Sequence, residues 1–151
     1  MENNRTSKKF TDIVFDAIKA KTQGKKGEYV NASEIFNVIY KAPCQDITDR
    51  KKEIVEALRI LHRKNGWRIV PQHEGKIDYE WGRFKLTPTE QVHTAIEVIA
   101  RNGAAVKTGA LVDYTGLTLE VVETALRSLL TQKRIAVENH LPGTDFTVKL
   151  L

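Results

Sequence analysis

Arg50-Lys51-Lys52, followed at helical spacing by Arg59 and Arg63, is the strongest chemical signal in the sequence. Cations repeated along a helix can neutralise phosphates, and arginine can also read guanine through two hydrogen bonds. Lys52, Glu56, Arg59 and Arg63 fall on one helical face, opposite Ile54, Leu58 and Leu61. Lys76, Arg83 and Lys85 lie in a hairpin-forming stretch with Arg68 at its base, and Lys64 adds a cation at the far end of the helix. Lys25 and Lys26 sit in the basic loop Gln23–Gly27, within reach of a flanking phosphate. Arg50 and Lys51 stand at a helix start, where the dipole disfavours cations, a placement that suits a nearby anion. The same pattern also describes a solvated face on which Glu53 and Glu56 pair with neighbours one turn away.

Other chemistry is thinly represented. His62, His73, His93 and His140 are widely separated, and none pairs with another at metal-ligand spacing. No HExxH, phosphate-binding loop or GxSxG motif occurs, and Cys44 has no base beside it in sequence to activate it as a nucleophile. Asp46, Asp49 and Glu53 read as turn, cap and first-turn residues of a helix. No catalysis, cofactor or metal is expected. Trp67, Tyr79, Trp81 and Phe84 crowd into the hairpin. Exposed rings there, flanked by Arg68 and Arg83, would stack on unpaired bases; closing a core is the expected role of these four.

Length and charge frame the search for the elements that position these groups. The chain has 151 residues, 41% hydrophobic and 28% charged, with a net charge of +5. Residues 1–87 carry 18 Lys and Arg against 12 Asp and Glu, whereas residues 88–151 carry 6 against 7. A positive first half suits an acidic partner, and a near-neutral second half suits a different task. No uncharged run exceeds 6 residues, which excludes a transmembrane segment, and Met1–Arg5 lacks the apolar stretch of a secretory signal. A single cysteine excludes an internal disulfide framework. A cytoplasmic location is expected, nucleoid-associated or, in a eukaryote, nuclear.

Two copies of one plan are legible. In the first, Phe10, Ile13, Val14, Ala17 and Ile18 form the stripe of a helix. Asn31-Ala32-Ser33-Glu34 is a capping box opening a second, which Pro43 ends; Asp49 starts a third that stops at Asn65-Gly66. Trp67–Gln72 and Tyr79–Leu86 then read as a hairpin around His73–Lys76, with a bulge at Gly82. In the second copy, Thr87-Pro88-Thr89-Glu90 is a capping box for a helix reaching Asn102-Gly103. A short helix over Thr108–Tyr114, a break at Gly116 and a helix capped by Thr118 follow. Strands over Arg134–Glu138 and Phe146–Leu150 finish the chain.

Three helices and a two-stranded hairpin, repeated once, resemble a tandem winged-helix protein. Leu111-Val112-Asp113-Tyr114-Thr115-Gly116-Leu117-Thr118, followed by Val121, Val122, Ala125, Leu126 and Leu129, looks like the helix–turn–helix core of many winged-helix regulators. The expected class is mainly α with small β-hairpins (α+β), as two domains over residues 1–87 and 88–151. The stretch Ala42–Thr48, longer than the family's usual tight turn, is a departure in the first.

The resemblance implies a duplex-DNA-binding regulator of the transcription type, with the third helix in the major groove and the wing on the backbone. Arg50, Lys51, Lys52, Arg59, Arg63, Lys76, Arg83 and Lys85 are its expected contacts. In the second domain Glu120 and Glu123 would repel phosphate, so these residues and Arg127 are expected to meet protein, either another partner or a second copy. The alternative is a protein–protein adaptor built from winged-helix modules in a larger complex, with a viral or mobile-element protein acting on host machinery as a further case.

Overall fold

The computed structural model of the chain describes residues 9–42, 49–63, 68–72, 76–138 and 147–151. Cys44, Asp46, Lys64, Trp67, His73, His140, the expected turn at Asn139–Thr144 and Phe146 of the expected last strand lie outside these residues. The chain is a mixed α+β protein that divides into two compact units. One holds the chain up to Thr22 together with Tyr29–Lys85; the other holds Gln23–Glu28 together with Leu86–Leu151. The division thus falls two residues before the expected boundary, and the basic loop after the first helix clusters with the second unit.

In the first unit α1 (Phe10–Thr22), β1 (Val30–Asn31), α2 (Ala32–Tyr40), α3 (Asp49–Arg63), β2 (Ile69–Pro71) and β3 (Arg83–Leu86) follow in order. Asn31 caps α2 as its sequence predicts: its side-chain oxygen accepts from the Glu34 amide at 2.9 Å, and the Glu34 carboxylate accepts from the Asn31 amide at 2.9 Å. α1 packs on α2 and α3. Val14, Ile18, Ile35, Ile54, Leu58, Leu61 and Phe84 are fully buried, the period-3.6 stripes of three helices closing on one strand.

The sheet has three strands, not two. β1 pairs antiparallel with β3, setting Val30 opposite Phe84, and β3 lies between β1 and β2. A strand of two residues cannot display alternation, so β1 has no periodic signature. The expected strand over Tyr79–Leu86 is shorter, because Tyr79–Trp81 form a turn and pairing begins at Arg83. The Asp78 carboxylate accepts from the amides of Glu80 and Trp81 at 3.0 and 2.9 Å, and the Gly82 amide donates to the Asp78 carbonyl at 2.9 Å. A Cβ on Gly82 would collide with that carbonyl. The glycine marks a tight turn in place of the expected bulge.

The second unit repeats the order with α4 (Pro88–Arg101), β4 (Val106–Lys107), α5 (Thr108–Thr115), α6 (Leu119–Thr131), β5 (Ile135–Glu138) and β6 (Thr147–Leu150). Its sheet runs β4-β6-β5, with Val106 and Val137 both opposite Val148. Val92, Ile96, Leu111, Val122, Leu126, Leu129 and Ile135 build the core. Gly116 ends α5 at φ 80°, and the Thr118 hydroxyl accepts from the Val121 amide at 3.3 Å to start α6. Thr87 precedes α4 without a side-chain cap bond, so the expected reciprocal capping box is not formed there. The Glu90 carboxylate receives both terminal guanidinium nitrogens of Arg134, each at 2.8 Å.

Candidate nucleic-acid interface

α3 carries the basic face. Arg50, Lys52, Arg59 and Arg63 are exposed, and Lys52, Glu56, Arg59 and Arg63 occupy one row spanning about 16 Å along the axis. Arg59 is held in position: its Nε lies 3.7 Å from the Glu56 carboxylate, and its guanidinium 4.9 Å from the Tyr79 ring centre. The Arg50 guanidinium sits 5.0 Å over the Tyr40 ring at the end of α2. From the hairpin, Lys76 and Arg83 are exposed and Lys85 is half-buried, its ammonium 5.4 Å from the Tyr29 ring. Half of the basic residues expected to meet phosphate therefore rest on, or next to, an aromatic ring. That arrangement limits the rotamer freedom a long cation must lose on binding.

Lys51 is the exception among them. It is buried at 1% exposure, with its ammonium 3.7 Å from the Trp81 ring centre. The reason is helical geometry: Lys51 shares its side of α3 with Ile54, Val55 and Leu58, three to seven residues on, and stands about 100° around the helix from Lys52. Its role is to join α3 to the hairpin, and it is not displayed with Arg50 and Lys52.

A buried polar pair makes the same connection further along. His62 Nδ1 and the Tyr79 hydroxyl are 2.8 Å apart, and Tyr79 stacks on Phe84 at 5.5 Å. Burial, and secondarily the Arg63 charge, hold the His62 imidazole below its ordinary value of 6.5. The unfolded chain therefore takes up this proton at higher pH than the folded one, so the contribution is intact above 6.5 and is lost as pH falls through that value towards the lower folded one. Urea titrations from about pH 8 to about pH 5 are expected to show a falling midpoint that flattens in His62→Gln. Equal slopes in the two proteins would remove His62 as the cause.

The four hairpin aromatics part company. Tyr79 and Phe84 close the core as expected, whereas Trp81 is 61% exposed; Trp67 lies outside the described residues. Nothing in the sequence pattern separates Trp81 from its neighbours, because its exposure follows from the turn that Asp78 closes. Trp81 borders a groove with Pro71, Gln72, Lys76 and Arg83.

In the second unit Glu120, Glu123 and Arg127 are exposed on α6, the last donating to the Thr124 hydroxyl at 3.4 Å. Leu119 and Leu130, 52% and 40% exposed, lie on the side of the helix that carries Glu123. The loop Gln23–Glu28 brings two cations to this unit. The Lys26 amide donates to the Thr115 carbonyl at 2.7 Å, at the last turn of α5, and the Lys25 ammonium stands 5.0 Å from the Tyr114 ring. With this loop the second unit carries 8 Lys and Arg against 8 Asp and Glu, and the first 16 against 11. Among the described residues no three His, Cys, Asp or Glu side chains gather as a metal site requires, and no helix is long and apolar enough to cross a membrane.

No protein-family model matches the chain. No curated protein matches it either. A solved structure that resembles it is the DIP2311 protein of Corynebacterium diphtheriae, at 10% identity and a TM-score of 0.36, over 93% of this chain and 26% of that one. The chain therefore spans about a quarter of that protein's length.

Proposed function

We propose that both units are winged helices and that the first binds duplex DNA, as a regulator of the transcription type acting on nucleoid or nuclear DNA. The order helix, short strand, helix, helix, strand, strand, with the last strand between the other two, supports the first half of this reading. The observation that carries the second half is the exposed row Lys52, Arg59 and Arg63 on α3, in a unit that also exposes Lys76 and Arg83 on its hairpin. An α-helix fits the major groove, and cations along it meet phosphates while arginine reaches base edges. Glu56 sits in this row, holding Arg59 and rejecting phosphate at its own position.

The test is anisotropy titration of a labelled mixed-sequence duplex with the full chain at several salt concentrations. Arg59→Ala combined with Arg63→Ala is expected to weaken binding and to reduce the log–log salt slope by about 2, one for each phosphate contact removed. Unchanged affinity and slope in a folded variant would remove α3 as the docking face.

A second reading, a protein adaptor, is favoured by one observation: exposed Leu119 and Leu130 lie on α6 beside Glu120, Glu123 and Arg127. In the combined function the second unit would contact protein while the first holds DNA.

A further inference from the structure

Trp81 leaves 61% of its surface in water although its turn is firmly built. Asp78 ties down the amides of Glu80 and Trp81, and the Lys51 ammonium rests 3.7 Å from the indole centre. The ring stands beside a groove bordered by Pro71 and Gln72, and Lys76 and Arg83, both exposed, line that groove with it. A fixed aromatic face next to two cations matches the two halves of a nucleotide: a base stacks on the ring and its phosphates take the cations. Bases inside a duplex have both faces covered by their neighbours, so an indole on a hairpin stacks on an unpaired base without the cost of unstacking a step. The charges of Lys76 and Arg83, with Lys51 behind the ring, outnumber the one carboxylate that lines the groove, Asp78, and favour this polyanion over a neutral or acidic peptide.

We propose that Trp81 is a stacking platform for an unpaired nucleobase, and that the groove beside it binds single-stranded nucleic acid through Lys76 and Arg83. The assignment rests on reading the first unit as a nucleic-acid binder, but it does not require α3 to enter a major groove.

The full chain is titrated against labelled oligo-dT and oligo-rU of about 15 nucleotides, and against a duplex of equal length. Trp81→Ala is expected to weaken single-strand binding by about 5- to 150-fold, the range for losing one stacked base, and to change duplex binding by less than about 2-fold. Trp81→Tyr keeps a ring and is expected to retain most of the affinity. Unaltered protein irradiated with 5-iodouracil-substituted oligomer is expected to cross-link at the peptide carrying Trp81, a readout independent of whether the variants fold. Dependence on Trp81 with either oligomer supports the assignment, and their ratio tells which sugar is preferred. Single-strand affinity untouched by Trp81→Ala, or cross-links confined to α3, would overturn it. Trp81-dependent single-strand binding by a chain that ignores duplex retires the duplex reading and keeps this one; duplex binding with no Trp81 effect on single strands does the reverse.

Discussion

Arg134→Ala is expected to cost the second unit about 3–5 kcal/mol, the range for breaking a buried ion pair from one side. The side chain of Glu90 is 8% exposed and that of Arg134 26%, and both guanidinium–carboxylate contacts are 2.8 Å. The bidentate geometry, helped by the Glu90 charge and opposed by partial burial, holds the Arg134 guanidinium above its ordinary value, so it stays charged throughout the accessible pH range. Removing the arginine takes the bidentate partner away from a carboxylate at the first turn of α4, where little water can replace it. Removing both partners is a different experiment. Arg134→Met with Glu90→Leu replaces the pair by apolar groups of similar size, and is expected to recover most of the loss. Hydrogen exchange of the α4 amides is the suitable readout, because Trp67 and Trp81 both belong to the first unit's stretch and report on that unit alone. If Arg134→Ala and the double variant were equally destabilised, lost packing, not the loss of a charged partner, would be the cause.

The same pair shows where sequence reading succeeds and where it fails. Asn31–Glu34 and Thr87–Glu90 present one signature, and the first forms the reciprocal cap that the signature predicts. In the second, the Thr87 side chain makes no cap bond, and the glutamate carboxylate takes a charge-assisted bidentate contact from an arginine 44 residues away. Local signals therefore place the ends of α2 and α4 equally well but do not say what Glu90 does. The helices were legible because their apolar stripes are long; β1 and β4, at two residues each, carry no period and are found only through their partners Phe84 and Val148. Arg50-Lys51-Lys52 reads as a charge cluster, yet consecutive residues on a helix point about 100° apart, and counting from Ile54 and Leu58 would have placed Lys51 on the buried side. Trp81 was not separable from Tyr79 and Phe84 by any count, because a turn closed by Asp78 decides its exposure.

Gly24→Val is expected to destabilise the second unit by about 3 kcal/mol or more, whereas Gly27→Ala should cost about 1–2 kcal/mol. Both glycines have left-handed backbones, at φ +74° and +84°, so both substitutions carry the conformational penalty that a Cβ brings there. Only Gly24 adds a collision. A Cβ at Gly24 would stand 2.6 Å from the Gln91 carbonyl oxygen and 3.1 Å from Thr94 Cβ, both on α4, while nothing lies within 4 Å of one at Gly27. The Gln91 oxygen is backbone and cannot step aside, so the loop must lift from α4. Lifting it would break the Lys26 amide bond to the Thr115 carbonyl and withdraw Lys25 from the Tyr114 ring. Hydrogen exchange of the Lys26 amide is therefore expected to accelerate in Gly24→Val and to change little in Gly27→Ala. Equal effects from the two would mean that the loop is not packed on α4, and that its lysines belong electrostatically with the first half of the chain. The expected difference means the opposite: a segment lying between α1 and β1 in sequence supplies the cations that bring an otherwise acidic unit to neutrality at the α5–α6 turn.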